Sequence, residues 1–162
     1  MKTIKDLANT QNISSENGGH GPSMVFIQGS IPSSKNSKVA TSRGVFHSKT
    51  VSKFLREMGI QHYSVSKKEV TYYKTRPCLF PVSELKELFS NSVYPVEVGL
   101  HFVRNNKTKF DFHNISQIVF DLMVAFDIIP DDNMDYVIPY ALKLEDKYYS
   151  VDKNRPGCYI KI

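Results

Sequence analysis

The chain predicts an α+β fold, a single compact domain in which helices pack on a mixed β-sheet. Three observations predict it. Val96, Val98, Leu100 and Phe102 alternate with Glu97, Gly99, His101 and Val103, the period of a strand. Directly after this run, Ile115, Ile118, Val119, Leu122, Met123 and Phe126 recur at the three-and-four spacing of a helical apolar stripe. Further strand-like runs precede and follow that pair, and the 162 residues suffice for one core without disulfides.

In chain order, residues 1–22 are polar and rich in Asn, Ser and Gly, and they lack the apolar density that would offset ordering entropy. They read as a flexible leader, with the folded domain over 23–162. Met24 to Gln28 reads as a first strand stopped by Gly29. A loop, IPSSKNSKVATSRGVFH, follows with Lys35, Lys38 and Arg43 set among small polar residues. Ser48 can cap the next helix, whose Val51, Phe54, Leu55 and Met58 form a buried face opposite Lys49, Lys53 and Arg56, and Gly59 stops it.

Residues 61–79 hold strand-like residues and scattered cations without a clean period. Ser83 is placed to cap a short helix that turns Leu85, Leu88 and Phe89 inward. The strand at 96–103 then delivers the backbone to Asp111 and a helix over Phe112 to Phe126. Phe120 and Val124 make a second apolar patch on that helix, which either the core or a dimer contact would cover. Two last strands lie in MDYVIPYALKL and GCYIKI, with Pro139 pointing to an edge or a bulge.

Charge is unevenly spread. Against a net +5, residues 1–80 carry 12 Lys and Arg and 4 Asp and Glu, and residues 81–162 carry 9 and 12. A basic surface beside an acidic site suits a polyanionic partner such as nucleic acid. Cys78 and Cys158 have no metal spacing, and no apolar run is long enough for a membrane span or a signal peptide. The expectation is a reduced, cytoplasmic protein with no membrane partner. A glycine-rich phosphate loop, a nucleophile elbow and a Cys/His zinc pattern are all absent, so nucleophilic side-chain catalysis has no support.

The acids are gathered around the central helix. Asp111 opens it, Asp121 lies within it, and Asp131 and Asp132 follow its end. Hard divalent cations take oxygen ligands of this kind, and such a cation can polarise a phosphoryl oxygen and acidify an attacking water. The plainer account leaves Asp111 as a helix cap and Asp131 and Asp132 as turn residues after Pro130.

These residues resemble the RusA-type Holliday junction resolvases, small phage and prophage endonucleases. The resemblance covers most of the chain after the leader. It runs through the early strand with its Pro-Ser-Ser-Lys-Asn-Ser-Lys loop, the valine-rich strand with Phe102 and Arg104, the helix start at Asp111 to Asn114, Asp121-Leu122, and the paired acids. It implies a RusA-like fold and a homodimeric, divalent-metal-dependent endodeoxyribonuclease that nicks four-way or other branched DNA. The family's first catalytic aspartate falls on Asp111, its neighbouring asparagine on Asn114, and its later pair on Asp131 and Asp132. His113 stands where the family usually has a second aspartate, and Gln117 where it usually has a lysine.

The expected metal ligands are therefore Asp111, Asp131, Asp132 and Asp121, with His113 joining the catalytic group. Mg2+ is the expected cofactor, and His113 opens the way to Mn2+ because imidazole suits later metals better than magnesium. Lys35, Lys38, Arg43, Arg104, Lys107 and Lys109 are the expected DNA contacts. The rival reading is a catalytically weakened phage accessory protein that binds junctions on the same fold; a third is a structural phage protein with no nucleic-acid role. A helix of about 15 residues separates its two ends by about 20 Å, so each site is expected to combine Asp111 of one subunit with Asp131 and Asp132 of the other.

Overall fold

A mixed sheet of five strands sets the frame. The computed structural model describes residues 22–34, 38–41, 44–63, 70–72 and 78–162, with backbone alone at 38–41, 44–46, 61–63 and 70–72. Residues 1–21 of the expected leader, Lys35, Arg43 and the Lys38 side chain lie outside what is described. In chain order the elements are β1 (Val25–Gln28), β2 (Lys38–Thr41), β3 (Gly44–His47), α1 (Lys49–Glu57), β4 (Ile60–Tyr63) and β5 (Val70–Tyr72). They continue with α2 (Val82–Phe89), β6 (Val96–Arg104), α3 (Phe112–Ala125), β7 (Val137–Ala141), β8 (Tyr149–Val151) and β9 (Gly157–Lys161).

The main sheet runs β1-β9-β6-β7. β9 is antiparallel to both β1 and β6, whereas β7 and β8 run parallel to β6 along its other side, β7 against Val96–Leu100 and β8 against Phe102–Arg104. This mixture of directions is the expected α+β architecture. The parallel pair requires a crossover, and α3 provides it. β2 pairs with β3 and β4 with β5 as separate two-stranded ribbons.

β6 departs from simple alternation. Residues 98–103 are buried on both faces: Val98, Leu100 and Phe102 join the core, and on the opposite face Tyr159 packs beside His101, with ring centres 6.4 Å apart. Gly99 lies under the Tyr140 ring. His101, expected to be half-buried, is fully buried.

The local rules hold at α1 and α3. Ser48 Oγ accepts from Val51 N–H at 3.4 Å, and Gly59, at φ 90°, ends that helix in a conformation that favours glycine. α3 ends in a Schellman arrangement, with Ile128 N–H donating to Met123 O at 2.9 Å and Asp127 N–H to Val124 O at 3.1 Å. Asp127 takes the left-handed position at φ 53°, and Ile128 is buried behind it.

Three expectations are corrected. α2 starts at Val82 with Pro81 as its cap residue, because Leu85 N–H donates to Pro81 O at 3.0 Å; Ser83 is an exposed first-turn residue. The stretch after β1, read as a loop, contains the β2–β3 hairpin, whose Val39↔Phe46 and Ala40↔Val45 pairs are too short a signal to stand out among polar neighbours. Phe120 is 5% exposed within the core, so of the two covers open to that apolar patch the core takes Phe120, and a dimer contact there would have only the half-buried Val124. Pro139 does lie in an edge strand, where its missing N–H leaves no ladder partner wanting. Among the described residues no helix is long and apolar enough to cross a membrane.

Candidate metal and nucleic-acid site

Asp111 sits where β6 hands over to α3. Its backbone is extended (φ −101°, ψ 122°), and Oδ1 accepts from His113 N–H at 3.0 Å and Asn114 N–H at 3.4 Å. The side chain is an N-cap, as the plainer account held. Both bonds end on Oδ1, however, so Oδ2 is outside the cap, and the residue is exposed. Capping therefore leaves a carboxylate oxygen for a cation.

His113 is exposed in the first turn with its ring against Phe112, and its carbonyl accepts from the buried Ser116 hydroxyl at 3.1 Å. Gln117 is exposed one turn on, and Asp121 is half-buried a turn beyond that. These residues make the side of α3 that the core does not cover.

Asp131 and Asp132 lie beyond the other end of α3. Asp131 Oδ1 accepts from Asp132 N–H at 2.8 Å and Oδ2 from Asn133 Nδ2 at 3.0 Å, while Asn133 Oδ1 accepts from Asp135 N–H at 2.9 Å. These side-chain-to-backbone bonds build the turn that leads into β7. Asp132 is exposed and Asp131 half-buried.

Within one chain Asp111 stands at the start of α3 and the acid pair beyond its end, and the 14 residues of α3 alone rise about 21 Å. Among the described residues no three His, Cys, Asp or Glu side chains gather as a metal-holding group. Oxygen donors of the right chemistry are present, but the described residues of one chain do not bring three of them together.

The cations divide into two roles. Arg104, expected on DNA, is half-buried: Nη1 donates to Ile31 O at 3.2 Å and the guanidinium lies 4.9 Å from the centre of the Phe110 ring. Burial lowers its pKa from the usual guanidinium value. It fastens the start of the loop after β1 to the end of β6. Lys107 and Lys109 are exposed in the segment between Arg104 and Asp111, as a phosphate contact requires.

His101, which the sequence places as a half-buried polar residue on a strand face, is instead fully buried and bonded at both ring nitrogens. Its Nδ1 lies 3.1 Å from Leu142 O and its Nε2 3.1 Å from Ser150 Oγ. A carbonyl only accepts, so Nδ1 carries the hydrogen and Nε2 accepts from the serine. This ring ties the residue after β7 to β8. Burial lowers its pKa below the usual 6.5, against smaller opposing effects of the Leu142 hydrogen bond and Glu145. The folded protein thus resists a proton that the unfolded chain takes up near 6.5, so stability present above that pH is lost as pH falls toward the lowered value. Following the His101 ring by NMR is expected to give a midpoint below 6.5, with the urea midpoint falling on acidification. A titration at or above 6.5 would remove His101 from this account.

Comparisons of the chain with protein-family models, with curated proteins and with solved structures gave no match.

Proposed function

We propose that this protein is a divalent-metal-dependent endodeoxyribonuclease acting on branched DNA, four-way junctions in particular, as a homodimer in the bacterial cytoplasm. The observation that carries the reading is the pair of carboxylate groups at opposite ends of one helix, with Asp111 Oδ2 outside its own cap. The order and spacing of motifs shared with the RusA-type resolvases support it, as do the exposed Lys107 and Lys109 beside Asp111. Two copies of α3, antiparallel about a two-fold axis, would set Asp111 of one subunit beside Asp131 and Asp132 of the other. With Phe120 in the core, that contact would use the uncovered side of α3, carrying His113, Gln117 and Asp121.

In this arrangement Asp111, Asp131 and Asp132 would hold Mg2+ or Mn2+, with Asp121 and His113 adjoining. The cation supplies Lewis-acid polarisation of the phosphodiester and an acidified water. Lys107 and Lys109 hold the backbone phosphates, together with Lys35, Lys38 and Arg43 on the reading of the earlier loop. The rival, a junction binder without cleavage, draws on His113 and Gln117 standing where the family has an aspartate and a lysine.

Incubation with an end-labelled four-way junction, in Mg2+ and separately in Mn2+, tests the proposal. Nicking is the expected result. A shifted but uncut band would favour the binder, and no shift at low salt would end both readings.

A further inference from the structure

The edge of the sheet beside the end of β6 is left partly uncovered. β8 lies beside the last residues of β6 with Phe102↔Tyr149 and Arg104↔Val151 in parallel register. Residues paired in this way point to the same face. Phe102 is covered on that face by Phe112, at 5.9 Å between ring centres. Tyr149 remains 45% exposed and Val151 39%.

One exposed tyrosine is ordinary, but this one is held. Phe110 meets the Tyr149 ring at 5.3 Å and 86°, and meets Phe102 at 6.1 Å and 73°, while Arg104 lies over Phe110. The orientation of Tyr149 is thus braced from the core outward, so a ring stacking on it would cost little side-chain entropy. The bracing segment, Arg104 to Phe110, carries Arg104, Lys107 and Lys109 and no acid. An aromatic face bordered by exposed cations is complementary to a nucleobase and its flanking phosphates. Asp111 follows Phe110 directly.

We propose that Tyr149 is the stacking surface for an unpaired base of branched DNA, with Lys107 and Lys109 holding the adjoining phosphates. The inference rests on the nucleic-acid reading above and adds to it a reason for preferring branched over continuous duplex. Stacking is blind to sequence because every base has a π-face, so the preference concerns structure, not base identity.

The test uses the full chain, a four-way junction with 2-aminopurine at the branch point, and a duplex of equal length. Tyr149→Ser is expected to weaken junction binding about tenfold, one base stack's worth, and to leave duplex binding unchanged. Tyr149→Phe should retain the parent affinity, and the quenching of 2-aminopurine by the parent protein should be lost in Tyr149→Ser alone. Equal losses on junction and duplex, or no loss on either, would overturn the inference. A parent protein that binds the junction while Tyr149→Ser binds it equally well defeats this proposal only. A parent protein that binds no DNA defeats the functional reading with it.

Discussion

Asp111→Asn is expected to abolish junction cleavage and to leave both the fold and DNA binding in place. Asparagine caps a helix about as well as aspartate, so the bonds from His113 and Asn114 N–H survive on Oδ1. What disappears is a charged metal ligand, and with it a negative charge beside the phosphate. The loss should exceed the roughly 100-fold drop seen when a group that merely orients a ligand is removed. Binding should stay level or tighten. Asp111→Ala, by contrast, should also cost about 1 kcal/mol of stability through the lost cap. Nicking assays beside urea denaturation separate the two effects; a stable Asp111→Asn protein that still nicks at the parent rate would place the site elsewhere. Mixing it with Asp132→Asn protein extends the argument. If each site takes Asp111 from one subunit and Asp132 from the other, the heterodimer keeps one site with neither substitution, and nicking returns. Confirmed subunit exchange without nicking would exclude the shared site.

Gly157→Ala should be among the most damaging small substitutions in the chain. A Cβ there would stand 2.3 Å from Ile27 O and 2.3 Å from the Phe26 ring. The carbonyl belongs to β1 backbone, so relief requires β1 and β9 to separate. Their register is held by Val25↔Ile160 and Gln28↔Gly157, and by Gly29 N–H donating to Pro156 O. A loss of about 3 kcal/mol is expected, at the upper end for overpacking. Gly99→Ala is the comparison: its Cβ would meet Tyr140 at 2.7 Å, but that side chain is 39% exposed and can swing aside, so about 1 kcal/mol or less is expected. Urea midpoints at unchanged m measure both. Similar losses at the two positions would show that side-chain mobility does not decide the outcome.

The contrast between these glycines also shows what the sequence could and could not convey. Strong periodicity identified β6 and α3, and the caps at Ser48 and Asp111 were legible from residue type. The hairpin of β2 and β3 was not, because a four-residue strand is too short for a period to emerge above its polar neighbours. β6 looked like a half-exposed strand because local alternation does not reveal what covers its second face, and so His101 looked half-buried until Leu142, Ser150 and Tyr159 were found against it. For the candidate site, Asp111, Asp131 and Asp132 were legible as types and spacings. The bond from Arg104 to the Ile31 carbonyl was not legible, since nothing local announces that partner. Tyr149 went unnoticed because its significance comes from Phe110 and Phe102, which are distant in the chain.

The position of β9 between β1 and β6 has a kinetic consequence. Val25 must find Ile160, and Leu100 must find the same residue from the other side. Such distant pairings carry a closure entropy that local contacts do not repay in advance, which makes folding slower than in a domain built of local contacts. The β6–α3–β7 unit is assembled from neighbours in the chain and can form early. Until β9 arrives, the flank of β6 that it will occupy is an unpaired apolar strand edge, the kind of surface on which nascent chains associate wrongly. Refolding yield should therefore depend on concentration more than the stability of the finished protein does.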